Sequence, residues 1–127
     1  MEYGYKKQIN FSFTEAIEKT KAELVKEGFG VLTEIDVKAT LKKKLDVDYD
    51  NYIILGACNP PFACQALRAE KDIGLLMPCN VIVYEDKGEI FVSAILPTVA
   101  MSMINNSSFG KIAKQVEEKL KKVVNNI

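Results

Sequence analysis

The chain predicts an α+β fold: an antiparallel sheet with two long helices packed on one face, plus shorter helices, in the order strand, helix, multiple strands, helix. Two long segments, Phe13 to Glu27 and Ser108 to Asn125, each carry a single apolar stripe and an otherwise charged surface, so each packs from one side only. Two alternating runs, Asn80 to Tyr84 and Glu89 to Ile95, flank the short polar turn Glu85-Asp86-Lys87-Gly88 and read as a hairpin. A hairpin followed by a late helix suits an antiparallel sheet better than the strict strand–helix alternation of a doubly wound parallel one. At 127 residues the chain is one domain, residues 1–127.

The elements follow in order. Tyr3 to Phe11 alternates about a polar middle, with Tyr3, Tyr5, Ile9 and Phe11 on one face. Ser12-Phe13-Thr14-Glu15 fits the capping box, and Phe13, Ile17, Thr20 and Leu24 recur at helical spacing. Gly28 closes that helix, because a residue without Cβ turns left-handed at little cost. Gly30 to Asp36 is a second strand, with Val31, Thr33 and Ile35 expected on one face. Asp36 then caps a short helix striped by Val37, Leu41 and Leu45.

Tyr52 to Ala57 is almost wholly apolar, which predicts a central strand covered on both faces. Asn59 is expected to cap a helix that starts with two prolines and runs to about Lys71. An extended return from Asp72 to Pro78 is expected after it. Pro97 to Asn106 fits no single pattern. Ser107 or Ser108 starts the last helix, striped by Phe109, Ile112, Ala113, Val116, Leu120, Val123 and Ile127.

Composition excludes several functions. Lys+Arg and Asp+Glu both number 17, so the basic excess of a nucleic-acid binder is missing. The basic run Lys42-Lys43-Lys44 is followed at once by Asp46, Asp48 and Asp50, and reads as a solvated face. No stretch approaches the ~20 apolar residues of a membrane span, and the N-terminus lacks an apolar signal core. Cytoplasm is the expected compartment, where three cysteines are reduced thiols. The chain has no histidine, so Ser-His-Asp and Cys-His catalysis and Cys/His zinc fingers cannot be built from it alone.

Reactive side chains concentrate in two nearly rhyming stretches, Cys58-Asn59-Pro60-Pro61 and Met77-Pro78-Cys79-Asn80. Each sets a thiol and an amide where a strand meets a proline. A helix gains ~1.5 Å per residue and an extended strand ~3.3 Å, so the legs between Cys58 and Cys79 nearly cancel. The two thiols are expected at the same end of neighbouring strands, with Asn59 and Asn80 bordering one cavity. Thiolates there suit a soft ion such as Cu(I) or Zn(II), or thiol redox chemistry. Equally, a free cysteine packs well as a small hydrophobe. No Cys-x-x-Cys spacing is present and no metal ligand set is assigned.

Cys64, on the intervening helix, stands apart from this pairing. Met77 and the Met101-Ser102-Met103 stretch offer thioethers, which also serve adaptable interfaces. Asp46-x-Asp48-x-Asp50 imitates a calcium loop but has Asn51 for the turn glycine and Ala57 for the closing glutamate. Gly28-x-Gly30 lacks the lysine and hydroxyl of a phosphate loop. Arg68, the single arginine, reads as a solvated position.

The run Ile54 to Val83, with Cys58-Asn59-Pro60-Pro61, Ala63, Ala66-Leu67, Gly74-Leu75-Leu76 and Pro78-Cys79-Asn80, resembles the signature of the conserved domain of unknown function numbered 302. The resemblance extends by pattern over essentially the whole chain. It implies a small dimeric α+β domain, similar in architecture to the TATA-binding-protein type, and it implies no activity. Two functions are carried forward. One is a homodimeric, non-catalytic module that binds a small ligand or soft metal ion at Cys58, Asn59, Cys79 and Asn80. The other is a thiol-dependent redox protein or enzyme with Cys58 or Cys79 as nucleophile. The homodimer is also expected from the apolar content of Pro97 to Ile104, which exceeds what a surface loop needs.

Overall fold

The computed structural model describes residues 2–127. Its order is β1 (Gly4–Ile9), α1 (Phe13–Lys26), β2 (Gly30–Asp36), α2 (Val37–Leu45), β3 (Tyr52–Cys58) and α3 (Pro60–Ala69). A 3₁₀ helix (Lys71–Leu76), β4 (Cys79–Asp86), β5 (Glu89–Ile95), α4 (Pro97–Ala100) and α5 (Ser107–Asn125) complete it. The strands form one antiparallel sheet in the order β1-β5-β4-β3-β2. Both long helices lie on the same face of the sheet, as the one-sided stripes require. Their buried residues, Ala16 and Leu24 from α1 and Val116, Leu120, Val123 and Val124 from α5, join Val81, Val83, Val92 and Ala94 in the main core.

The helix ends follow their sequence signals. Ser12 Oγ accepts the Glu15 N–H at 3.2 Å while the Glu15 carboxylate accepts the Ser12 N–H at 3.3 Å, a complete capping box. Gly28 turns the chain out of α1 at φ +85°. Asp36 caps α2 by accepting from the Ala39 N–H. The β4–β5 hairpin turns on Lys87-Gly88, both at positive φ, which suits the right-handed twist of its strands.

Several expectations are corrected. Val31 does not share a face with Thr33 and Ile35: the register slips between Val31 and Thr33, so Val31 joins the core while Ile35 stands half exposed. Such a slip reverses every later side chain. β3 is interior to the sheet, but helices cover only one of its faces, and Tyr52 and Ile54 are half-buried on the other. The return to β4 is the 3₁₀ helix, not an extended leg. The cap of α5 is Asn106, whose side chain accepts the Ser108 N–H at 3.1 Å. No residue of the α2 stripe is fully buried: Val37 and Leu41 are half-buried and Leu45 is 67% exposed.

The helix-free face of the sheet is apolar. One cross-strand row is Ile35–Ile54–Ile82 and the next is Tyr52–Tyr84–Phe91, whose rings stack at 5.4 and 5.3 Å between centroids. Lys6 closes its β1 edge, with Nζ donating to the Tyr84 hydroxyl at 3.1 Å. That bond raises the Lys6 pKa above its ordinary value. Antiparallel sheets with one solvated face usually show polar residues there.

Candidate functional site

The site forms where the main core meets a second, smaller one. That second cluster is Ala66, Ile73 and Phe109, with Leu76, Met77, Met101 and Ile104 packed against it. Small residues on the facing stripes of α3 and α5, Ala63, Ala66 and Ala113, leave the seam incompletely filled. An inner cavity of about 50 Å³ remains, walled by these alanines with Phe29, Ala57, Phe62 and Phe109. Beside it lies a larger cleft of about 260 Å³ bordered by Leu75, Asn80, Ile95 and Ala100. Met77, Pro78, Cys79, Pro97 and Met101 border both.

β3 and β4 bring the two thiols to this end. Ala57 stands opposite Cys79, and Gly30 opposite Cys58. Paired residues of a ladder share a face and consecutive ones alternate, so Cys79 stands with Ala57 on the helix side while Cys58 takes the opposite sense of the pleat. Their Cα atoms are then ~6 Å apart by ladder geometry. The two strand ends therefore meet as expected, and at the end of its strand Cys58 reaches the same space as Cys79. Both residues border the inner cavity. Burial pushes the Cys79 thiol up to about 11 from an ordinary 9.0, and the neighbouring Cys58 adds to the rise.

Asn59 is buried, and its side chain does not cap α3. The Asn59 amide instead donates to the Glu27 carbonyl at 3.1 Å, satisfying an end carbonyl of α1. Asn80 is exposed, one residue past Cys79 and so on the other face. It borders the outer cleft while Asn59 borders the inner cavity, so the two amides do not share one cavity as expected. Cys64 is exposed on α3 and borders neither. Among the described residues, no group of three or more His, Cys, Asp or Glu could hold a metal ion.

The residues that sequence reading missed are the walls: Phe29, Phe62, Ala66, Pro97 and Phe109. The alanines at helical spacing in α3 were the available signal, because small residues on a buried stripe mark either close approach or a void. The segment after β5 also proves different from expectation. Its apolar residues turn inward, with Pro97 buried and Val99, Met101 and Ile104 half-buried, so only Met103 is a large apolar side chain left largely exposed there, at 73%. Among the described residues, no helix is long and apolar enough to cross a membrane.

The comparisons with known proteins agree with this architecture. No curated protein matches the chain. A solved structure, the crystal structure of an uncharacterised conserved DUF302 protein from Bacillus stearothermophilus, superposes with a TM-score of 0.93 at 28% identity. The match covers 99% of this chain and 98% of that one. The family model for the domain of unknown function DUF302 matches residues 5–127. The chain is therefore a member of the DUF302 family.

Proposed function

We propose that this domain is a homodimeric, non-catalytic binding module whose site is the inner cavity together with the outer cleft. The single observation that carries the reading is their adjacency: Cys79, Met77 and Met101 border both spaces, so a small displacement of one thioether side chain would let one small molecule occupy them together. The inner end is apolar, and its volume of about 50 Å³ has room for a short aliphatic tail, since ~10–15 Å³ of such space already holds a water. The cleft is near the lower limit of ~300 Å³ for ordinary ligand pockets and carries the Asn80 amide. The ligand class is thus a small amphiphile, its tail among the alanines and its polar head beside Asn80.

Catalysis at Cys79 is disfavoured. The thiolate is the nucleophile, and a thiol raised to about 11 is almost wholly protonated at neutral pH. A soft monovalent ion is a second reading, favoured by the thioethers of Met77 and Met101 beside Cys79. Ag(I) titration of the Cys58→Ser, Cys64→Ser chain separates the two: one equivalent taken up, with uptake weakened by Met77→Leu or Met101→Leu, favours the ion.

Self-association is assigned to the helix-free sheet face, whose aliphatic and aromatic rows form a contiguous apolar surface of the kind that marks an interface. Native mass spectrometry of protein purified without added ligand tests both halves. A dimer carrying an extra small mass, lost when Ala63→Leu fills the cavity, is the expected result. A monomer at high micromolar concentration refutes the assembly. A dimer that retains the same extra mass in Ala63→Leu refutes the site.

A further inference from the structure

The strand β5 leads directly into a segment, Pro97 to Asn106, that covers the cavities without filling the space beneath it. Besides the inner cavity and the cleft, a third space of about 150 Å³ lies under Ser102 and Ile104. Met101 borders all three. The segment rests on α5 and lends Met101 and Ile104 to the second core, yet the three spaces leave part of that underside without partner atoms, and incompletely packed elements are those that open most readily. α4 is only four residues long, and no side-chain hydrogen bond caps it.

The segment is fixed at each end. The Leu96 N–H donates to the Tyr3 carbonyl at 2.9 Å, and the Asn106 amide donates to the Ala69 carbonyl at 3.0 Å. Between these anchors, besides the packing of Met101 and Ile104, one hydrogen-bonded side-chain contact ties it to the body of the protein. Thr98 donates to the Glu117 carboxylate of α5 twice, from its hydroxyl at 2.6 Å and its backbone N–H at 3.1 Å. The Glu117 carboxylate is held in turn by Lys121 at 3.7 Å.

We infer that Pro97 to Asn106 is a lid over the binding site, latched by the Thr98–Glu117 contact and hinged at its two anchors. Lifting it withdraws Met101 and joins the three spaces, giving a ligand entry to the inner cavity. This rests on reading cavity and cleft as one site, but the lid can be tested without any ligand. The half-buried Cys79 thiol borders the same spaces as Pro97 and Met101, and a gain in its reactivity reports the opening.

The test uses the Cys58→Ser, Cys64→Ser chain, in which Cys79 is the sole thiol, and follows its reaction with dithionitrobenzoate at fixed pH. Thr98→Val keeps the side-chain shape and removes the hydroxyl donor. Because a hydrogen bond to a charged group is worth about tenfold or more in an equilibrium, the reaction is expected to accelerate roughly tenfold at an unchanged global unfolding midpoint. A rate within about twofold of the parent would overturn the lid. So would a rate in the parent that rises with denaturant as steeply as global unfolding, which also decides the matter if Thr98→Val fails to fold. Failure of the site itself would appear separately, as no ligand response at an intact, opening lid.

Discussion

Asn59 ties two elements together that are far apart in sequence: its amide, at the start of α3, donates to the Glu27 carbonyl at the end of α1. The β2–β3 ladder makes this meeting possible, since Gly30 pairs with Cys58 one residue before Asn59. Gly28 shares the contact, because a Cβ there would lie 3.3 Å from the Asn59 amide nitrogen. The apolar cavity is thus closed at one side by a polar clasp.

Asn59→Ala should destabilise the fold by about 1 kcal/mol, the lower end of the cost of leaving a carbonyl without its donor, because the bond is only partly buried. Asn59→Asp should cost at least as much at neutral pH, since an oxygen then faces the Glu27 carbonyl. Urea unfolding with an unchanged slope checks both, and an Asn59→Ala midpoint equal to the parent's would remove the clasp from the account.

The pH dependence of stability carries the signature of Cys79. Its folded pKa lies above the unfolded one, so the native state holds this proton where the unfolded chain has lost it. The contribution is fully present below pH 9 and is lost as pH rises through about 11. Two units correspond to about 2–3 kcal/mol at the upper limit. Comparing parent with Cys79→Ala between pH 8 and 11 isolates it, and parallel stability curves would show that the thiol is not perturbed.

Ile82→Lys places a charge in the middle of the helix-free face without touching the core, which draws on Val81 and Val83 instead. If the proposed dimer forms through this face, the variant should be a folded monomer in sedimentation equilibrium where the parent is a dimer. An unaffected dimer would assign self-association to another surface.

Much of the fold was legible because local chemistry agreed with tertiary packing. The capping box at Ser12, the Gly28 turn and the long stripe of α5 are short-range signals that survive in the structure. The Val31/Thr33 slip was not legible, since a register shift arises from pairing with β3 and leaves no mark in the alternation of β2 itself. Nor was the half-burial of Tyr52 and Ile54: an apolar run does not say which of its faces the helices cover.

At the site, the juxtaposition of Cys58 and Cys79 could be anticipated from element lengths, even though the return was a 3₁₀ helix and not a strand. The separation of Asn59 from Asn80 follows from the pleat, where a single residue step changes faces. The Thr98–Glu117 contact joins positions 19 residues apart across an irregular segment, for which no periodicity exists to be read.

The central claim is that the cavity and cleft form one binding site for a small amphiphile. It is tested most directly by following the methionine methyl signals by NMR while 1-hexanol is added to the ¹³C-methyl-labelled protein. Met77 and Met101 border both spaces, whereas Met103 is exposed and borders neither. The account predicts saturable shifts at Met77 and Met101, none at Met103, and loss of the response in Ala63→Leu. Equal drifts at all three methionines, or a response unchanged in Ala63→Leu, would contradict it.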